Sequence, residues 1–317
     1  MIDHSPTLRS AICFMAASHL SVLKDDLSLL NIATELQMNA IASLWRTIYT
    51  EDPLISLAVV MILEMTDRLF ATTSGVNHLL GAREIIQRAG PGVWDSGAGP
   101  FLLNVCSYYD AMASVSSRTP PILRLGDKIL IQETMKPVEN LKVLWAIIGR
   151  ISSMSDQGGS LRDDQGAAIE LILRVLDTSN IEGDAARTVH AYKEAAYIYL
   201  HRLWHNIGSS HPLTLKHATD CLNHIFQVPV TSSLVLGHSW PLWTAACETI
   251  DSTLRDRVRE RVKAMYEFRR LPSLRRLGQD IEDVWKVKDK ERAATGVDGI
   301  DCVRAILTIR QRGPDLM

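Results

Sequence analysis

The sequence has no C-x-x-C pair anywhere in its 317 residues. Its five cysteines (Cys13, Cys106, Cys221, Cys247 and Cys302) are odd in number and far apart. That excludes the usual cysteine spacing of a zinc site and gives no basis for a disulfide framework. The cysteines are expected to be reduced and packed as small apolar groups. Net charge is nearly missing too: 34 Lys and Arg stand against 36 Asp and Glu, leaving −2. Broad electrostatic binding of nucleic acid scales with the phosphates neutralised, so a balanced chain is not expected to bind nucleic acid directly. Long hydrophobic runs are lacking. The longest, Leu54–Leu63, stops at Glu64; as a helix it rises only about 15 Å, roughly half a bilayer core, so no membrane span is expected. Asp3 and His4 stand where a secretory signal carries Lys or Arg, so secretion is not expected either. Convincing period-2 runs are almost absent, which leaves little room for a sheet.

Apolar residues recur instead with a period of 3.6, at 46% hydrophobic content overall. Ser5 before Pro6 is a cap followed by a first-turn proline, opening a helix to about Val22. Further helices are expected over Leu27–Tyr49, Leu54–Thr72, Asn77–Ala89, Phe101–Ser117, Leu141–Ser153, Asp163–Asp177, Ala185–Asn206 and Leu213–Phe226. The stretch Leu236–Ile250 follows, then Leu254–Arg269, Ser273–Val287 and Ile300–Gln311. Gly90-Pro91-Gly92 is a strong stop, and Asp127–Glu133 is the one short strand the text offers. The sum is an all-α chain of about 12 helices, one domain over residues 1–317 with a soft division near 154–166.

Several constellations invite chemistry. Asp25-Asp26 and Asp163-Asp164 lack the further carboxylate of D-D-x-x-D, so they read as helix-start charges and not as magnesium ligands. His201 and His205 lie four apart, but no glutamate follows His201 and no third ligand is suggested; they read as half-exposed or capping histidines. His211, His217 and His224 form no cluster. Neither G-x-S-x-G nor a phosphate-cradling glycine loop is present. No catalytic residue, metal ligand or cofactor is therefore assigned. Arg255, Arg259 and Arg269 alternate with Asp256, Glu260 and Glu267, the pattern of a solvated face with ion pairs along one helix.

The stretch S-W-P-L-W-T-A-A-C-E, the arginine-rich helix after it and I-E-D-V-W-K-V-K-D (Ile281–Asp289) together resemble the C-terminal half of a fungal-specific transcription factor domain. His78–Ile86, Tyr108–Ser117, Glu194–Arg202 and the opening Ser5–Leu20 resemble further segments of that family, in order. The resemblance implies an all-α regulatory module, nuclear in its usual context (otherwise cytoplasmic) and not an enzyme. In such activators a separate two-zinc, six-cysteine cluster reads DNA. That cluster needs C-x-x-C spacing, which this text lacks, so the expectation is a regulatory fragment, a relative without the reader, or one recruited to another task.

Three functions stay open. The first is a domain sensing a small apolar molecule or a regulatory protein. The second is a cofactor-free biosynthetic enzyme, such as a cyclase in secondary metabolism, folding an apolar substrate by shape. The third is an interaction protein, with a homodimer in view. The aromatic supply points to one place. Trp240 and Trp243 lie one turn apart behind Pro241, with His238, Glu248 or a backbone carbonyl to take an indole N–H. Tyr199 and Trp204 belong to the helix Ala185–Asn206, and Tyr109 and Asp110 to the helix Phe101–Ser117. Apolar walls with a few hydrogen-bonding tips suit a small molecule, so a ligand cavity is expected between these three segments; the plain alternative is that they simply pack together.

Overall fold

Ser5 opens the first helix as its sequence predicts: the hydroxyl oxygen accepts from the Leu8 N–H at 3.2 Å, and Pro6 sits in the first turn. This helix, α1 (Pro6–Lys24), ends on Asp25 in a left-handed conformation (φ 52°). Asp26 then caps α2 (Leu27–Thr47), accepting from the N–H groups of Ser28 at 2.8 Å and Leu29 at 3.4 Å. The acidic pair is thus a turn and a cap. The computed structural model describes residues 5–70, 77–125, 141–156, 159–314 and 316; the expected strand Asp127–Glu133 lies outside them.

Two compact units divide the chain. One holds Met1–Tyr108 with Arg270–Ser273, and the other Tyr109–Arg269 with Leu274–Met317. Met154 and Gly166, the ends of the stretch where the text offers a soft division, both fall in the second unit. In the first unit, α3 (Pro53–Phe70) buries residues on several faces. Its Val59 and Leu63 join Leu8, Ala11 and Phe14 of α1 and Ala33 and Ala40 of α2 in one core. The alanines let the backbones approach closely. Asp67 ties the unit further: it accepts from Gln37 of α2 at 3.0 Å and pairs at 3.0 Å with His78, the first residue of α4 (His78–Ala89). Among the described residues no helix is long and apolar enough to cross a membrane.

The remaining helices are α5 (Gly99–Ser117), α6 (Lys142–Ser153), α7 (Gly159–Val175), α8 (Gly183–His205), α9 (Pro212–Gln227), α10 (Ser239–Cys247), α11 (Ser252–Arg269), α12 (Pro272–Thr295) and α13 (Cys302–Arg310). All thirteen are α-helices, and no strand occurs among the described residues. The fold is all-α. In the second unit α8 is the hub, packing against α6, α7, α9 and α10. It buries Val189, Tyr192, Ala196 and Tyr199, the period-3.6 set of its sequence. The lengths of α7, α10 (nine residues, Ser239–Cys247, within the expected Leu236–Ile250) and α12 differ most from expectation. α7 begins at Gly159, ahead of Asp163. α12 runs to Thr295 instead of Val287, because its last turns are held by charge and carry little apolar pattern.

Candidate functional site

Trp240, in the first turn of α10, is completely buried and lies against two tyrosines of α8. Ring centroids are 5.5 Å apart to Tyr192 and 6.3 Å apart to Tyr199, the latter edge-on at 83°. Each tyrosine hydroxyl is anchored. Tyr192 donates to the Gly237 carbonyl at 2.6 Å. Tyr199 meets the Ser152 hydroxyl at 3.0 Å, which in turn accepts from Ser114 at 2.9 Å, so a hydroxyl chain links α5, α6 and α8.

His238, just ahead of α10, does not serve the tryptophans. Its Nε2 pairs with the Thr188 hydroxyl at 2.9 Å. Burial, and secondarily Arg261, pushes its pKa down to about 4, so the ring is neutral at pH 7. The Trp240 indole N–H finds no acceptor among the described residues. Glu248 is committed elsewhere, so neither side chain that the sequence offered for that N–H takes it.

The three aromatic segments do border a cavity, but a small one. Trp243 and Tyr199 wall a space of about 30 Å³ together with Arg118, Arg202 and Glu248, and α13 adds Cys302. That is the share of one water in the liquid. Arg118 lies 4.9 Å from the Tyr199 ring centre and pairs with Asp301. Among the described residues, one guanidinium nitrogen of Arg118 and two of Arg202 have no hydrogen-bond partner.

The other expected residues stand apart from this cavity. Tyr109 is buried beside Asp110 on α5. Asp110 spends its carboxylate on the turn after that helix, accepting from Ile122 at 2.7 Å, Leu123 at 2.9 Å and Arg124 at 3.2 Å. Burial nevertheless raises its pKa to about 6, outweighing the three N–H donors. Trp204 is half-buried on the outer edge of α8: it donates to Asp163 at 2.9 Å and stacks on His205 at 4.0 Å.

Beneath Trp243 lies a feature the sequence did not announce. Glu248, one residue past α10, accepts from Arg202 at 2.8 and 3.0 Å, from Ser209 at 2.7 Å and from Lys288 at 2.6 Å. Lys288 also faces Asp298 at 3.2 Å and lies 3.7 Å from the Cys302 sulfur. The Glu248, Lys288, Arg202 and Asp298 side chains are between 0% and 5% exposed, so water does not solvate this centre. Two cations balance two carboxylates, the condition for burying charge. Burial pushes the Glu248 pKa up, but Lys288 and Arg202 outweigh it and hold it at about 2. Burial likewise opposes the Lys288 charge, and Cys302, Glu248 and Asp298 together raise its pKa. The Cys247 thiol is pushed well up, by burial first and then by Cys302, so it is an inert thiol. Gly208 leaves the space the Arg202 guanidinium occupies: a Cβ there would lie 1.8 Å from it and would have to displace it from Glu248. Arg202 and Glu248 are 46 residues apart, and Lys288 sits in the charged tail of α12, so no local pattern marks them.

Two readings of charged residues change. The arginines of α11 pair across to α12 more than along their own helix. Arg255 grips Asp289 at 2.6 and 2.8 Å, and Arg259 grips Glu282 at 2.6 and 3.2 Å besides Asp256 at 2.7 Å. His201 is buried, not half-exposed, and its ring lies 5.8 Å from that of His217 and 6.2 Å from that of His205. His217 pairs with Glu194 at 2.6 Å. Among the described residues no group of His, Cys, Asp and Glu is placed to hold a metal ion.

Comparison with known families places this architecture. Residues 150–307 match the fungal specific transcription factor domain. No curated protein and no solved structure matches the chain. The matched stretch is about half of the chain and contains Arg202, Ser209, Glu248, Lys288, Asp298 and Cys302, the whole ionic centre. It includes the family-like segments at Glu194–Arg202, Ser239–Glu248 and Ile281–Asp289, while those at Ser5–Leu20, His78–Ile86 and Tyr108–Ser117 lie outside it. Through residues 150–307 the chain belongs to the fungal specific transcription factor domain family.

Proposed function

We propose that the chain is the regulatory domain of a fungal transcription factor, acting in the nucleus by sensing a small apolar molecule or a partner protein. DNA contact is left to a zinc cluster outside this sequence. The observation that carries the reading is that the family match encloses the whole buried ionic centre. That centre clamps α8, the end of α10, α12 and the Asp298 loop to one another through Glu248 and Lys288. A regulatory module needs a body that holds one shape while its surface is read, and a buried centre of two cations and two carboxylates that ties four segments together supports that. The cyclase reading draws no support from the cavity at Trp243, which has room for about one water and none for a folding polyene.

The test is transplantation. Fused to an unrelated DNA-binding domain, the chain is expected to raise or lower a reporter relative to that domain alone. A fusion that is expressed and folded yet leaves the reporter unchanged counts against the reading.

A further inference from the structure

We infer that the groove between α11 and α12 is a binding site for a small amphipathic acid, an alkyl or aryl chain ending in a carboxylate. The inference deepens the regulatory reading by naming the chemistry of its signal. The sequence builds the floor simply. Val258 and Val262 are four apart on α11, and Ile281 and Trp285 four apart on α12, so each pair lies on one helix face. The two faces meet in a groove of about 310 Å³. That volume falls at the lower end of the small-molecule range, roughly 300–1,000 Å³. Along α12 the groove runs from Arg275 to Trp285, about 15 Å at 1.5 Å per residue, which suits an extended chain of moderate length.

The rim adds a charge preference. Arg259 is neutralised by Glu282 and Asp256. Lys263 is left with only an exposed Glu267 at 3.9 Å. Arg275 is exposed, lies 5.6 Å from the Tyr266 ring centre and is paired with no carboxylate among the described residues. An apolar floor with two weakly held cations at its edge complements an apolar tail with an anionic head. A carboxylate there gains charge-assisted hydrogen bonds that the corresponding alcohol does not.

The experiment titrates the full chain with decanoate and, in parallel, decan-1-ol, following heat by calorimetry and the thermal midpoint. Expected are saturable binding of decanoate with a raised midpoint, and binding of the alcohol weaker by about tenfold or more. The variant carrying Lys263→Gln and Arg275→Gln should melt like the wild type, both side chains being exposed, and bind decanoate about tenfold or more weakly. Absence of saturable decanoate binding overturns the assignment. So does equal binding of the alcohol, or undiminished binding by the double variant. Lost binding alongside an active reporter fusion removes the groove and leaves the regulatory reading standing. Binding alongside a silent fusion does the reverse.

Discussion

Glu248 accepts hydrogen bonds from two buried cations and a buried hydroxyl, and its environment holds it ionised. Glu248→Gln keeps the shape but strands Arg202 without a paired carboxylate and leaves Lys288 only Asp298. Removing one partner of a buried ion pair costs about 3–5 kcal/mol. Urea unfolding at pH 7 should show that loss, and a loss below about 1 kcal/mol would mean the centre is open to water. His238 makes a pH prediction. Its pKa is about 4 in the fold against 6.5 ordinarily. Below pH 6.5 the unfolded chain binds a proton that the buried ring takes only near pH 4, so this stability is present above 6.5 and is lost as pH falls through about 4. The shift corresponds to something on the order of 3 kcal/mol. Asp110, raised to about 6 from 3.8, works oppositely: its contribution is present below 3.8 and is lost as pH rises through about 6. The two partly offset each other in the wild type, so the informative quantity is a difference. Unfolding free energies at pH 7 and pH 4.5 should fall less for His238→Gln than for the wild type; equal falls would show that His238 does not titrate as its burial implies.

Elements with a local cause were legible in the text. Ser5-Pro6 starts α1, Asp26 caps α2, and the spacing of Val189, Tyr192, Ala196 and Tyr199 marks α8 and the face it buries. Tyr199 lies against Trp240 and borders the small cavity with Trp243, while Trp204, Tyr109 and Asp110 stand apart from it. The packing of Tyr199, Trp240 and Trp243 into a core with a cavity of about 30 Å³ was not legible, because filling depends on side chains arriving from α5 and α13. The tail of α12 was missed for the same reason. Lys288 is buried by partners 40 residues upstream and by Asp298 across a loop, and no periodicity records such pairings. The segment after α13 offers a test at this scale. A Cβ on Gly313 would lie 2.5 Å from the Ser116 carbonyl oxygen of α5, a backbone atom that cannot swing away. Ser116 also donates to the Pro314 carbonyl at 3.0 Å, and Arg312 holds Asp280 at 2.9 Å twice. Gly→Ala in open space usually stabilises by about 0.4–1 kcal/mol. Here the clash should reverse the sign and cost about 1–3 kcal/mol. A stabilised Gly313→Ala in urea unfolding would show that the tail is not docked on α5 as described.

For the whole molecule, the all-α architecture and the family match over residues 150–307 support a regulatory role. The buried ionic centre ties α8, the end of α10, α12 and the Asp298 loop of the second unit together, and the α11–α12 groove is the surface at which we propose that a small acid acts. The most direct measurement is reporter output from the chain fused to a heterologous DNA-binding domain, with and without decanoate, set against that domain alone. The account predicts that the wild-type fusion departs from the bare domain and that its output shifts with decanoate. The fusion carrying Lys263→Gln and Arg275→Gln should keep the departure and lose the shift. A folded wild-type fusion whose output matches the bare domain under both conditions would contradict it.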